Sequence, residues 1–205
     1  MIKNQFSGKF IVIEGIDGAG KSTQAAIIGS HFYSNGTTVC LTSEPSQFLL
    51  GGLIRSRLLG EWQSSPECLQ LLYAADRAEH LKKEILLRLK EGINVVSDRY
   101  FLSSLAYGAV DCDFNWLLQI NNQFIMPDLT VFLDVAAKTG ADRIAANGKS
   151  IELFEKTETL EIVRRNYQVA INLFNDEMAV EIISGERSKE QVFEDVKTAI
   201  GKILR

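Results

Sequence analysis

The stretch Phe10–Thr23, FIVIEGIDGAGKST, decides the fold. Phe10-Ile11-Val12-Ile13 is a short continuous apolar run, the pattern of a strand buried on both faces. Gly15-Ile16-Asp17-Gly18-Ala19-Gly20-Lys21-Ser22 follows directly and matches G-x-x-x-x-G-K-[ST] in full. A helical pattern then starts at Lys21 and continues to about Tyr33. Glycines let consecutive backbone N–H groups turn inward around a phosphate, and the helix N-terminus adds partial positive charge. Gly15 to Thr23 therefore form a candidate phosphate loop, which alone leaves kinases, GTPases, motors and transporters open. Lys21 is placed to reach the β- and γ-phosphates and Ser22 to bind Mg²⁺. A ligand-free glycine turn would share the composition but has no need of the strand–loop–helix context.

Outward from this loop, short apolar runs alternate with longer helical stretches. Strands are predicted at Thr37–Leu41, Ile93–Val96, Leu129–Leu133 and Ala179–Ile183. Helices are predicted at Leu49–Leu59, Pro66–Lys90, Ser103–Val110, Phe114–Phe124, Ala137–Ala146, Thr157–Asn175 and Lys189–Leu204. Asn35-Gly36 closes the first helix with a left-handed cap, and Pro66 opens a long one as a first-turn proline. An apolar stripe of Leu69, Leu72, Tyr73, Leu81, Ile85 and Leu89 is expected to turn that long helix toward the core. The fold class is α/β, a five-stranded parallel sheet with helices on both faces. Ligands in such sheets sit beyond the carboxyl ends of the strands.

The 205 residues suit a single domain, 1–205, and no repeat or Pro/Gly-rich linker divides it. Lys plus Arg is 22 and Asp plus Glu is 26, a net charge of −4. A mildly acidic chain is a poor nucleic-acid coat or anionic-membrane binder, so any phosphate must be held by a local site. Cys40, Cys68 and Cys112 are far apart and form no CxxC pair, which argues against a zinc site or a disulfide framework. They are read as small buried hydrophobes or bystanders in a reducing compartment. No apolar run is long enough to span a bilayer and Met1–Lys9 carries no signal-peptide core, so a cytoplasmic location is expected.

The strand ends choose among phosphate-loop proteins. The third strand ends Ser97-Asp98-Arg99-Tyr100, an acid that can serve the Mg²⁺ shell beside an arginine that can clamp a second phosphate. A surface ion pair would read the same way. The fourth ends Phe132-Leu133-Asp134-Val135 and lacks the Asn-Lys-x-Asp of a GTPase.

Phe10–Thr23, Glu44-Pro45, Leu71–Arg77 (LLYAADR), Asp98–Tyr107 (DRYFLSSLAY), Pro127–Asp134 and Phe154-Glu155, in this order, resemble the thymidylate kinase family of P-loop nucleoside monophosphate kinases. The resemblance covers nearly the whole chain from Lys9. It implies transfer of the ATP γ-phosphoryl to dTMP, with Mg²⁺, in a homodimer built on helices near Pro66–Lys90 and Leu105–Val110. It makes Asp17 the acid near the acceptor sugar and metal, Glu44-Pro45 a turn beside the acceptor, and Arg55 a contact to its phosphate. Tyr73 takes the position that stacks on thymine and Arg77 the one that hydrogen-bonds the base. Asp98 and Arg99 match the family's pair, Arg99 clamping the dTMP phosphate. Ser103, Ser104 and Tyr107 match positions lining the pyrimidine and the sugar.

Read without that family, Tyr73 and Tyr107 are ordinary core aromatics, Arg77 a solvated partner of Glu79 or Glu84, and Ser103 and Ser104 helix caps. Arg55 and Arg57, two apart on a helix, face different ways, so at most one enters a site.

This sequence also departs from the family. The phosphate loop carries Gly18-Ala19 and offers no arginine, and the expected lid, about 145–154, shows Asn147 and Ser150 where relatives often have arginines. Lys149 and Arg143 are expected to share the transition-state charge, while Arg164-Arg165 reads as an exposed or structural pair. Gly108 stands where a glutamine commonly follows the Ala-Tyr pair. Two alternatives remain open: a broader pyrimidine nucleotide or deoxynucleoside kinase, with Glu44 as base, and a catalytically weak nucleotide-binding paralogue.

Overall fold

The computed structural model describes residues 1–146 and 156–204. The strands β1 (Phe10–Glu14), β2 (Val39–Ser43), β3 (Asn94–Asp98), β4 (Leu129–Asp134) and β5 (Val180–Ser184) form one parallel sheet. Its order is β2-β3-β1-β4-β5, so the strand carrying the phosphate loop is central. β1 is buried at every residue, as its apolar run requires.

The chain leaves β1 through α1 (Lys21–Ser34), which packs against the closing helix α9 (Lys189–Ile203). The return crossovers are α2 (Leu49–Leu58), α3 (Pro66–His80), α4 (Leu86–Lys90), α5 (Phe101–Gly108), α6 (Phe114–Asn121), α7 (Ala137–Ala146) and α8 (Thr157–Phe174). The pair α5 and α8 pack together, as do α1 and α9. Right-handed crossovers from β1 to β2 and from β2 back across the sheet demand helices on opposite faces.

Two local differences from the sequence expectation have clear causes. β2 starts at Val39 rather than Thr37 because the Thr37 N–H donates to Phe32 O at 2.9 Å, which keeps Thr37 in the turn that closes α1. Gly36 in that turn has φ of 69°, the left-handed cap expected of Asn35-Gly36. The Pro66–Lys90 helix is interrupted by a π-turn at Leu81–Ile85, closed by the Leu86 N–H on Leu81 O. The wide turn keeps Leu81, Ile85 and Leu89, each four apart, on the core face. The first half of the expected stripe is different. Leu69 is buried, but Leu72 and Tyr73 are half-buried, and the residues most buried on α3 include Gln70, Asp76, Arg77 and His80. On this polar face Gln70 and Arg77 wall a pocket, while Asp76 and His80 are paired behind it with Ser46 and Glu44. The cysteines are free, none is fully buried and Cys68 is exposed, so they are bystanders.

Candidate active site

Register brings the strand ends together. Ile13 pairs with Asp98 and Ser43 with Asp98, so the phosphate loop, Asp98-Arg99 and Glu44-Pro45 are neighbours. The Arg99 N–H donates to Ile13 O at 2.9 Å and the Glu44 N–H to Asp98 O at 3.0 Å.

The phosphate loop has the form its glycines allow. Gly18 has φ of 79°, and a Cβ there would stand 2.3 Å from Gly140 O. Gly20 caps α1 with no side chain, which leaves the first-turn N–H groups to a ligand. Ser22 and Thr23 are exposed at this mouth, while Ile16 and Ala19 are buried and anchor the loop. Lys21 is buried, donates to Ile16 O at 2.8 Å and lies 4.0 Å from Asp17. Burial, then repulsion from Arg99, pulls its pKa down to about 8, against the attraction of Asp17, Asp98 and Glu14.

Across the loop lies a cavity walled by Asp17, Glu44, Pro45, Arg55, Tyr73, Arg77, Arg99, Ser103, Ser104 and Tyr107, together with Leu58, Gln70 and Tyr100. Arg99 joins it to the loop. Its Nη2 ion-pairs with Asp17, and its Nη1 donates to Ser103 Oγ at 3.1 Å and to Gly15 O at 3.5 Å. Arg99 itself holds φ of 72°, a left-handed backbone that aims the side chain back toward the loop. The Tyr107 hydroxyl donates to Asp17 at 2.8 Å. Burial alone would raise the Asp17 pKa, but the charges of Arg99 and Lys21 outweigh it and hold it low. Behind them, Glu14 is fully buried and accepts from Ser103 Oγ at 2.6 Å, Tyr167 OH at 2.9 Å and the Tyr100 N–H at 2.9 Å. Burial raises its pKa in spite of those bonds.

The other end of the cavity is organised by Arg77, which is fully buried. Its Nε donates to Glu44 at 2.9 Å, its Nη2 to Ser104 Oγ at 2.9 Å and its Nη1 to Asn121. The guanidinium also faces the Tyr100 ring at 5.1 Å. Glu44 is backed by His80 at 3.4 Å, and His80 by Glu84 at 3.0 Å. Asp76 accepts from the Ser46 N–H at 2.7 Å and the Ser46 hydroxyl at 2.6 Å, which pins the turn after the cis Glu44-Pro45 bond.

Of the residues expected in an acceptor site, all but Asp98 line this cavity. Asp98 stands instead on the loop side, where it accepts the Ser22 hydroxyl. Arg55 lines the cavity and donates to Pro45 O and Ser46 O, whereas Arg57 turns away to Ser64. Arg77 is neither solvated nor paired with Glu79 or Glu84. Ser103 and Ser104 lie inside α5 and do not cap it. Arg143 reaches the loop as a backbone tether, donating to Gly18 O at 3.2 Å and Gly185 O at 2.9 Å. Lys149 and the lid from 147 onward lie outside the described residues. Arg164 pairs in bidentate fashion with Asp134, while Arg165 stays exposed. Sequence reasoning missed Glu14, Gln70, Asp76, His80 and Asn121; a carboxylate ending an otherwise apolar strand was a visible signal only for Glu14.

A parallel sheet with a phosphate loop at the end of its central strand, facing a walled pocket across an arginine, is the fold of P-loop kinases. Comparison with known proteins gives the particular family. The thymidylate kinase family profile matches residues 13–196. A probable thymidylate kinase of Pyrococcus horikoshii is 43% identical over 195 residues, covering 92% of this chain and 94% of the relative. One of Thermococcus gammatolerans is 42% identical over 200 residues, with the same coverage. A thymidylate kinase of Carboxydothermus hydrogenoformans is 35% identical over 196 residues, covering 93% of this chain and 95% of the relative. The chain belongs to the thymidylate kinase family.

Proposed function

We propose that this protein transfers the γ-phosphoryl group of ATP to the phosphate of dTMP, giving dTDP and ADP. The observation that carries the reading is Arg99. It touches the phosphate loop at Gly15 and forms part of the acceptor pocket wall, where two phosphates must meet. An acceptor phosphate oxygen attacks the γ-phosphorus, the bond from that phosphorus to the β–γ bridging oxygen breaks, and ADP leaves. No protein base is required, because the nucleophile is already an anion. Lys21 and Arg99 neutralise the charge that spreads over the transferring group. Arg55 holds the acceptor phosphate from the far side. Tyr73 stacks on the base, Arg77 and Ser104 read its edge, and Tyr107 with Asp17 crowds the sugar.

Mg²⁺ fits the loop side. Asp98 Oδ1 is buried with no hydrogen-bond partner among the described residues, and its other oxygen holds the Ser22 hydroxyl. A hydroxyl and a carboxylate are the hard oxygen donors this ion takes, with phosphates and water completing the shell. Bound there, the ion would supply neutralisation of phosphate charge. A share of that neutralisation for Arg143 requires it to exchange its Gly185 carbonyl for the nucleotide, with Lys149 as its companion.

The deoxynucleoside-kinase alternative loses its base, since Glu44 is committed to Arg77 and His80. A homodimer would use the apolar residues exposed on α2 and α3, Leu49, Leu53 and Leu71. Leu105 and Ala106 of the second expected segment are fully buried within the chain. Described helices include none long and apolar enough to cross a membrane; the reading places the enzyme in the cytoplasm as one domain with a lid near 145–154. The test is ADP release with ATP, Mg²⁺ and a panel of dTMP, dUMP, dCMP, UMP, CMP and thymidine. Preference for dTMP is expected, and preference for thymidine or a ribonucleotide would overturn the reading.

A further inference from the structure

Gln70 is 3% exposed, yet its Oε1 has no hydrogen-bond partner among the described residues. Leaving a buried amide oxygen unpaired costs free energy, so a residue kept in that state calls for an explanation. Its place supplies one. Gln70, Tyr73 and Arg77 stand at i, i+3 and i+7 on α3 and all line the acceptor cavity. Ser104 and Gly108 stand one turn apart on the facing helix α5. Arg77 donates to Ser104, and the Gln70 amide lies over Gly108. A Cβ at position 108 would come 2.9 Å from Gln70 Cδ and 3.0 Å from its Oε1, and also 2.9 Å from Leu117 Cδ2 in the core. Glycine there makes the seat for the amide. Arg77, held by Glu44, Asn121 and Ser104, carries donors only, so it cannot accept the N–H of a base edge.

We propose that the Gln70 carboxamide is a second reader of the acceptor base, accepting the N3–H of a thymine ring, whose stacking partner is Tyr73. The proposal rests on the reading of this cavity as the nucleoside monophosphate site. A carboxamide is suited to the task because it offers an acceptor and a donor side by side, as an imide edge does. The thymine N3–H would then supply the partner that the Gln70 oxygen lacks among the described residues.

The test compares wild type with Gln70→Met, which keeps length and removes polarity. The KM for the preferred monophosphate is expected to rise about tenfold or more, with the KM for ATP and the saturated kcat within about threefold. Tm is expected to hold or rise, because an unpaired buried amide is gone. Gly108→Ala keeps Gln70 but presses on its amide and on Leu117; it should reproduce the KM defect in the wild-type background and add nothing to it in Gln70→Met, whereas a defect from Leu117 would persist there. The double variant should be no worse than either single. An unchanged monophosphate KM in Gln70→Met would overturn the proposal, as would a lower Tm with binding intact, the mark of a structural residue. Every ratio is taken on whichever monophosphate the wild type turns over fastest. Failure of the dTMP assignment thus shows in the wild-type panel, and failure of the Gln70 assignment in the variant ratio.

Discussion

Glu44→Gln removes one negative charge from the pocket wall while keeping the shape of the side chain. Arg77 and Glu44 are 1% and 3% exposed, with Nη2 and Oε2 at 2.7 Å. The other partners of the guanidinium, Asn121 and Ser104, are neutral. The substitution therefore leaves a buried cation with no counter-ion within its own contacts. Breaking a buried pair from one side costs several kcal/mol, and the amide retained as an acceptor puts the expected loss near the low end, about 3 kcal/mol. For a chain of 205 residues that corresponds to a fall in Tm of about 6–12 °C. Urea unfolding of Glu44→Gln, Arg77→Met and the double variant measures it. The double should be more stable than the sum of the singles by about 2 kcal/mol, since it removes the orphaned charge. The monophosphate KM should rise in all three. Additive singles, or a loss below about 1 kcal/mol, would refute the picture of a pocket wall held by one desolvated ion pair.

Further outcomes follow from the same geometry. Burial alone would lower the His80 pKa, but Glu44 and Glu84 outweigh it and raise it above the ordinary 6.5. Its contribution to stability is therefore complete below about pH 6.5 and is lost as pH rises through the folded value. His80→Gln should flatten unfolding free energy against pH in that window, and an unchanged slope would count against the raised pKa. Gly18→Ala would drive a Cβ to 2.3 Å from Gly140 O in a loop at positive φ. ATP affinity, read by calorimetry, should fall about tenfold or more while the fold persists; full affinity would mean the loop does not hold the phosphates as described.

Much of the fold was legible because one periodicity dominated it. Continuous apolar runs such as Phe10–Ile13 and Leu129–Leu133 are strands that can exist only inside a sheet covered on both faces. The phosphate loop was legible because its glycines are demanded by backbone geometry. Strand ends were less so. Glu14 and Asp98 lie inside their strands, since pairing continues past the last apolar residue into the site. The polar face of α3 was the main misreading. Helical spacing suggested an apolar stripe through Leu72 and Tyr73, but burial there follows a pocket that satisfies Asp76, Arg77 and His80 with partners from Ser46, Glu44 and Glu84. The partners of Asp76 and Arg77 come from positions 30 and 33 residues away, and one-dimensional patterns carry no such pairings. Arg77 was found through family resemblance, whereas Gln70, with no motif of its own, needed three dimensions.

The central claim is that one arginine brings two phosphates together over a phosphate loop. It is tested most directly by following the label from γ-³²P-ATP in the presence of Mg²⁺ and dTMP, in wild type and Arg99→Ala. The account predicts label in dTDP for the wild type. In Arg99→Ala the transfer rate should fall by about a thousandfold or more, with ATP binding retained. Label released only as inorganic phosphate, or transfer that survives the loss of Arg99, would contradict it.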